Sequence, residues 1–249
     1  MRGRITAGLA AASFTLVSAV AQANWSSKSQ LGFVMARGNS ETETANARFE
    51  LVHEVERWKN SFRAGALHGE TSKRESAERW DASWQIDHKF SERTFIFGAL
   101  RHEDDRFSGF DYQSSVSTGI GRAFIDTEQT KLSAQLGIGA RRLRPETLVR
   151  DEQGFVIDRI PGDHETDAAG NARVQFEHAL TDTAKILNLL QVESGRNNTL
   201  TQNELALQVQ MNKTLALSFG FNVRNNSKPP GEQKGTDTLT TVNLVYELK

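Results

Sequence analysis

The chain has no cysteine, which excludes disulfides, thiolate metal sites and cysteine nucleophiles. Proline is almost as scarce: four in 249 residues, and none before Pro145. Beyond the first residues there is no apolar run near the roughly 20 residues that a spanning helix needs. With 37% hydrophobic residues and a mean hydropathy of −0.51, a polytopic helical membrane protein is excluded. Net charge is also lacking, at −1, so no basic field points to nucleic acid.

What is present begins with an export signal. Arg2 and Arg4 precede an uncharged, small-residue apolar stretch from Ile5 to Val20, and Ala21-Gln22-Ala23 forms an A-x-A cleavage site. Residues 1–23 are therefore read as a secretory signal peptide and 24–249 as the exported domain. Without cysteine there is no lipoprotein anchor. Cleavage removes two arginines and no acid, leaving the mature chain slightly more acidic.

From Leu31 onward the hydrophobic period is two. Ala45, Ala47, Phe49 and Leu51 alternate with Asn46, Arg48 and Glu50. Trp80, Ala82, Trp84, Ile86 and His88 alternate with Arg79, Asp81, Ser83, Gln85, Asp87 and Lys89. Leu132 to Ala140 and Ala172 to Leu180 repeat the pattern, with Arg141, Arg173 and Glu177 on the polar parity. Phe95, Phe97 and Ala99 are assigned to the apolar parity; Leu187 and Leu189 blur theirs. Twelve such segments can be counted. Lipid cannot hydrogen-bond backbone groups, so strands that cross it must close on themselves. An even set of alternating strands predicts an all-β fold, a transmembrane antiparallel β-barrel of about 12 strands. A soluble sandwich also alternates, but with shorter strands.

The connections support this. Glu54–Arg57, Ser91–Arg93, Ile125–Gln129, Thr181–Thr183 and Asn212-Lys213 are short. Gly69–Ser76, Glu103–Gly109, Arg142–Asp167, Ser194–Asn198 and Asn225–Gly235 are longer; Gly38–Glu41 alone breaks the rule. Short periplasmic turns and longer outer loops put both termini in the periplasm. Residues 142–167 are expected to be a surface loop, with Phe155-Val156-Ile157 in a small hairpin. Trp58, Phe90, Phe95 and Phe124 near short turns, and Trp80, Phe110 and Tyr112 near long ones, suggest two interfacial girdles.

Gly38-Asn39-Ser40-Glu41-Thr42, followed by an alternating strand and Arg57-Trp58, resembles the start of the bacterial domain-of-unknown-function family 481. Asp104-Asp105-Arg106-Phe107 and Gly119-Ile120-Gly121 also resemble its pattern, and the likeness spans about residues 30–248. Members are described as salt-induced outer-membrane proteins. The resemblance implies a barrel in the cell outer membrane of a Gram-negative bacterium and carries over no catalytic residue.

The chemistry is sparse. No two of the six histidines have metal-ligand spacing, and no cofactor is expected. Gly119-Ile120-Gly121 lies inside an alternating strand and lacks the Lys-Ser/Thr of a phosphate loop. Asp104-Asp105 could collect a cation, though acidic surface loops are common. A lipid-hydrolysing barrel would pair a serine with a lipid-facing histidine near a rim. His68, His88 and His178 share the outward parity with Ser114, but no serine motif accompanies them. The expected lumen charges are Arg48, Glu50, Arg63, Arg79, Asp81, Asp87, Lys89, Arg141, Arg173 and Glu177. They either pair and plug the bore, making the barrel structural, or line a narrow aqueous path that salt could loosen. Expected partners are outer-membrane lipid (phospholipid and lipopolysaccharide) and the general barrel-assembly machinery, with no nucleic acid. An enzyme acting on acyl chains at the rim is the alternative.

Overall fold

The computed structural model describes residues 24–36, 42–72, 74–231 and 233–248. The proposed signal peptide and the connection Gly38–Glu41 lie outside them. The strands are β1 (Trp25–Ala36), β2 (Thr42–Val55), β3 (Trp58–Thr71), β4 (Arg74–Lys89), β5 (Thr94–Asp105), β6 (Phe110–Asp126) and β7 (Thr130–Arg150). They continue with β8 (Val156–Pro161), β9 (Glu165–Ala179), β10 (Ala184–Ser194), β11 (Thr199–Gln210), β12 (Leu215–Asn226) and β13 (Thr236–Leu248). Sequential antiparallel neighbours form the wall, β6 pairs with β7, β7 with β9, and β1 with β13. The result is a closed barrel of twelve strands, with β8 outside the wall and paired only to β7. Closure satisfies the backbone groups that an open edge would leave in lipid.

The seam that closes the ring is short. β1 and β13 share six residue pairs, from Ser27↔Leu248 to Gly32↔Asn243, whereas β1 and β2 share twelve. Above Gly32 and Asn243 the two strands no longer pair with each other.

The outer wall is a belt of exposed apolar side chains, including Leu31, Phe49, Trp84, Leu136, Phe219 and Leu244. For a water-soluble sheet this surface would be inverted; for a spanning barrel it is the lipid face. Girdle aromatics Trp58, Phe90, Phe124 and Trp80 are exposed, while Phe95 and Phe110 are not among them. Three tryptophans pack against histidines: Trp25 stacks on His53, and Trp58 and Trp80 meet His88 and His102 at a tilt, with ring centroids 4.1, 4.4 and 4.9 Å apart. These paired rings, apolar in body and polar at the edge, suit a membrane interface.

One parity assignment is corrected, on β5, and the blurred one on β10 is resolved. On β5 the outward residues are Ile96 and Leu100, and Phe97 is buried. Phe95 and Phe97 turn inward because β6 and β7 present glycines there: Phe95 lies over Gly121, and Phe97 over Gly119 and Gly137. An aromatic ring covers the exposed backbone that a glycine leaves in a strand. On β10, Leu187 and Leu189 pair with Glu177 and Gln175, so they too face inward, and Asn188 faces lipid. Its amide is not left bare: Asn188 Nδ2 donates to Asn203 Oδ1 on β11 at 3.2 Å.

The strands at the long-loop end run further than alternation indicates. Segment 142–167 does hold the hairpin expected around Phe155-Val156-Ile157, and the hairpin is longer than expected: β7 continues to Arg150 and turns back as β8, pairing Glu146↔Pro161 through Arg150↔Val156. Ladder hydrogen bonding persists beyond the lipid, where neither face has to be apolar, so the period fades before the strand ends. The hairpin reaches over the mouth. At its tip Arg74 Nη1 donates to Asp151 Oδ2 at 2.6 Å, and the Arg74 guanidinium lies 4.6 Å from the Phe155 ring centroid. Arg150 Nη2 donates to Gln233 Oε1 at 2.9 Å, and Arg159 stacks over Phe107. The Asp151 carboxylate also accepts from the Gln153 and Phe155 backbone amides. The Phe155 amide, ahead of Arg74, holds its carboxyl below the usual carboxylate range. A depressed value means that this tether is intact above the ordinary carboxylate value and is lost as pH falls through the lowered one. Protease added to intact cells is expected to cut within 151–155 and to cut there faster in Asp151→Ala. Cutting at 56–57 or 180–183 instead would reverse the topology.

Candidate functional site

Inside the barrel, charged side chains project from every part of the wall. Arg48 Nη1 on β2 reaches across the bore to Glu204 Oε2 on β11 at 2.5 Å. Arg63 bonds Glu50 on the neighbouring strand through Nε and Nη2, at 2.9 and 2.7 Å. Asp81 lies beside Gly65, where a side chain would collide with its carboxylate. Asp87 is buried and accepts from Gln85 Nε2 at 2.7 Å. Toward the short turns, Glu177 pairs with Lys185 at 3.3 Å, Lys89 with Glu54, and Lys28 with Glu247 at 3.2 Å.

Arg173 differs from these. It is buried, and its Nε and Nη2 have no protein hydrogen-bond partner. A guanidinium in that position has to be solvated by water or by an anion. It borders an interior cavity of about 930 Å3, together with Arg48, Glu50, Arg63 and Glu204.

The long-loop end of this cavity is narrowed by buried charged and polar side chains. Glu103 on β5 is gripped by Arg101 beside it and by Arg224 from β12 across the bore. Arg79 Nη1 stands 3.9 Å from Asp105 in the same cluster. Gln113, Asn198 and Asn226 are buried at this level, and Asn198 Nδ2 donates to Asn226 Oδ1 at 2.9 Å. Arg141 belongs to this plug rather than to the open bore. It is wholly buried and donates through Nη2 to Asp167 Oδ2 at 3.3 Å and to the Asn198 carbonyl at 3.0 Å, with Glu193 at 3.8 Å.

Of the residues singled out in sequence, Arg48, Glu50, Arg63 and Arg173 meet around one cavity. Arg79 and Arg141 lie in the plug. Glu103, Arg224 and Glu204 were missed. Glu204 and Arg224 sit on the polar parity of alternating segments and could have been read; alternation assigns Glu103 to the connection Glu103–Gly109, whereas β5 continues through it to Asp105.

The histidines divide the same way. His68, His88 and His178 are remote from Ser114: His68 Nε2 lies 3.4 Å from Glu70, and His178 Nδ1 is 2.8 Å from Thr130 Oγ1. The histidine that meets Ser114 is His102, with Nδ1 to Oγ at 2.7 Å, on the outer wall. Asp104-Asp105 gathers no third ligand, and no metal-binding cluster occurs among the described residues.

A family model described as "Protein of unknown function, DUF481" matches residues 29–248. The uncharacterized protein YdiY of Escherichia coli (strain K12) is 25% identical over 224 residues, covering 87% of this chain and 81% of that protein. Among solved structures, the KdgM porin matches 90% of this chain and 99% of its own at 9% identity, with a TM-score of 0.44. The NanC porin covers 90% and 97% at 10% identity, with a TM-score of 0.44. The translocator domain of the autotransporter NalP from Neisseria meningitidis covers 90% and 88% at 14% identity, with a TM-score of 0.41.

Proposed function

The chain belongs to that family of unknown function, and from this premise we propose that it is an outer-membrane barrel of a Gram-negative bacterium giving narrow passage to small anions. The longer connections face outward and the short turns face the periplasm. The observation that carries the reading is Arg173: a guanidinium whose Nε and Nη2 have no protein partner, beside a polar cavity whose other arginines, among the described residues, are paired with carboxylates. It is the site at which an anion replaces water.

Two layers of charge set the conductance. The mid-bore pairs Arg48–Glu204 and Arg63–Glu50 are about one-third exposed, and pairs of that kind hold only about 0–1 kcal/mol each. Salt screens them over about 8–10 Å, so they loosen as ionic strength rises. The plug at Glu103 and Arg224 is buried and resists screening. Passage is therefore small at any salt, and the salt-sensitive part lies on the periplasmic side. This makes the barrel a membrane component that answers to ionic conditions, in keeping with the salt-related description attached to the family's resemblance.

The test is planar-bilayer recording. Native protein is expected to show small openings with an anion-favouring reversal potential in a potassium chloride gradient. Arg173→Gln is expected to abolish the preference. No conductance at any salt, or a cation preference unmoved by that substitution, would leave a purely structural barrel.

A further inference from the structure

We infer that the outer wall carries a binding site for a phosphate of lipid A, the acylated sugar lipid of the outer leaflet, centred on Arg142; this rests on the outer-membrane orientation proposed above. The register of four strands places four polar side chains side by side at one height. His102 on β5 pairs with Ser114 on β6, Ser114 with Arg142 on β7, and Arg142 with Thr166 on β9. Strand neighbours at the same level point to the same face. Here that face is the lipid side, since Leu100 and Val116, two residues below His102 and Ser114, are among the exposed apolar belt.

Arg142 stands exposed in this row. No carboxylate lies within ion-pair distance of it among the described residues, in contrast to Arg141 and Arg144 on either side. A lipid-facing arginine is tolerated only near the interface, where its head can meet a polar group. Ser114 Oγ and His102 Nδ1 are 2.7 Å apart and add a hydroxyl and an imidazole to the same rim.

Directly below the row the wall is hollow. Ala82 and Ala140 lie among Trp84, Leu100 and Val116, and the step between small and bulky side chains leaves a recess of about 490 Å3. A polar rim with one cation over an apolar trough is complementary to a lipid whose anionic headgroup is uppermost and whose chain points into the membrane. The planar guanidinium fork fits two phosphate oxygens at once. The row sits at the long-loop end of the wall, hence at the outer leaflet, which selects lipid A over a phospholipid of the inner leaflet.

The experiment is native mass spectrometry of the full chain in detergent with three probes: phosphorylated hexa-acyl lipid A, the same lipid stripped of phosphate, and phosphatidylglycerol. The phosphorylated lipid A is expected to bind about tenfold more tightly than either of the others, the worth of one charge-assisted hydrogen bond. Arg142→Gln is expected to erase that difference, and Arg142→Lys to restore part of it. Both variants should keep native ion conductance, because Arg142 is on the opposite face of the wall from the bore; failure of the lipid site and failure of the channel are thus separable. Equal binding of dephosphorylated lipid A, tighter binding of phosphatidylglycerol, or full binding by Arg142→Gln would overturn the site. Loss of an acyl chain from the bound lipid, dependent on Ser114, would replace it with a hydrolytic one.

Discussion

Arg224→Ala is expected to destabilise the barrel by about 3–5 kcal/mol, the usual cost of stripping one partner from a buried ion pair. Glu103 is the reason. Its side chain is 2% exposed, and among the described residues Arg224, at 6%, is the cation that pairs with it from across the bore. Arg101 remains beside it and places the loss toward the lower end of that range. The remaining carboxylate cannot escape to water, because Gln113, Asn226 and Asn198 crowd the same level. Replacing Arg101, Glu103 and Arg224 together by apolar residues of similar volume is expected to recover most of the stability, since no charge is then left buried without a partner. Urea unfolding in lipid vesicles, followed by tryptophan fluorescence, measures both. A loss below about 1 kcal/mol for the single variant would be that of an exposed surface pair, and the plug would then be hydrated rather than sealed.

Gly137→Val is expected to prevent folding altogether, with no compact heat-modifiable species on a gel. A side chain at Gly137 would start 2.6 Å from the Thr118 carbonyl oxygen and 2.8 Å from Phe97 Cζ. At the facing Gly119 it would start 2.5 Å from the Gly137 Cα. The first obstacle is backbone on the partner strand, so β6 and β7 would have to separate. Removing the ring above does not help: Phe97→Ala combined with Gly137→Val should fold no better. Phe97→Ala alone is expected to cost about 3–5 kcal/mol, as a large buried aromatic truncated to alanine does. Normal folding of Gly137→Val would mean that the two strands do not approach as closely as they do here.

The same glycines explain where sequence reading succeeded and where it failed. Strands such as β4 and β7 were legible because lipid on one side and charge on the other leave no ambiguity between parities. On β5 the strongest hydrophobes, Phe95 and Phe97, are on the inside, drawn there by glycines on another segment. The mirror assignment of that one strand concealed His102 as the neighbour of Ser114, and ending the strand before Glu103 concealed that residue as the centre of the plug. Arg141 and Arg142 show a different limit. They are adjacent and chemically identical, yet one is sealed among Asp167, Glu193 and Asn198 and the other faces lipid. Alternation separates their faces but does not say which inward charges bridge the bore, because Arg48 and Glu204 or Glu103 and Arg224 come together only when the ring closes. Likewise the reach of β7 to Arg150 was invisible, since above the lipid a strand has no reason to alternate.

The short seam between β1 and β13 gives the cylinder a mechanical grain. A tube whose joints are equally long resists squeezing equally in all directions. Here one joint holds only along the half nearer the short turns, so the wall is expected to yield first along the line above Gly32 and Asn243, where the two strands no longer pair. Thermal flexing of the ring is expected to concentrate on that line rather than be shared. Because it is the shortest joint between the first and last strands of the ring, the same line is expected to be the first to part when the tube is pulled open.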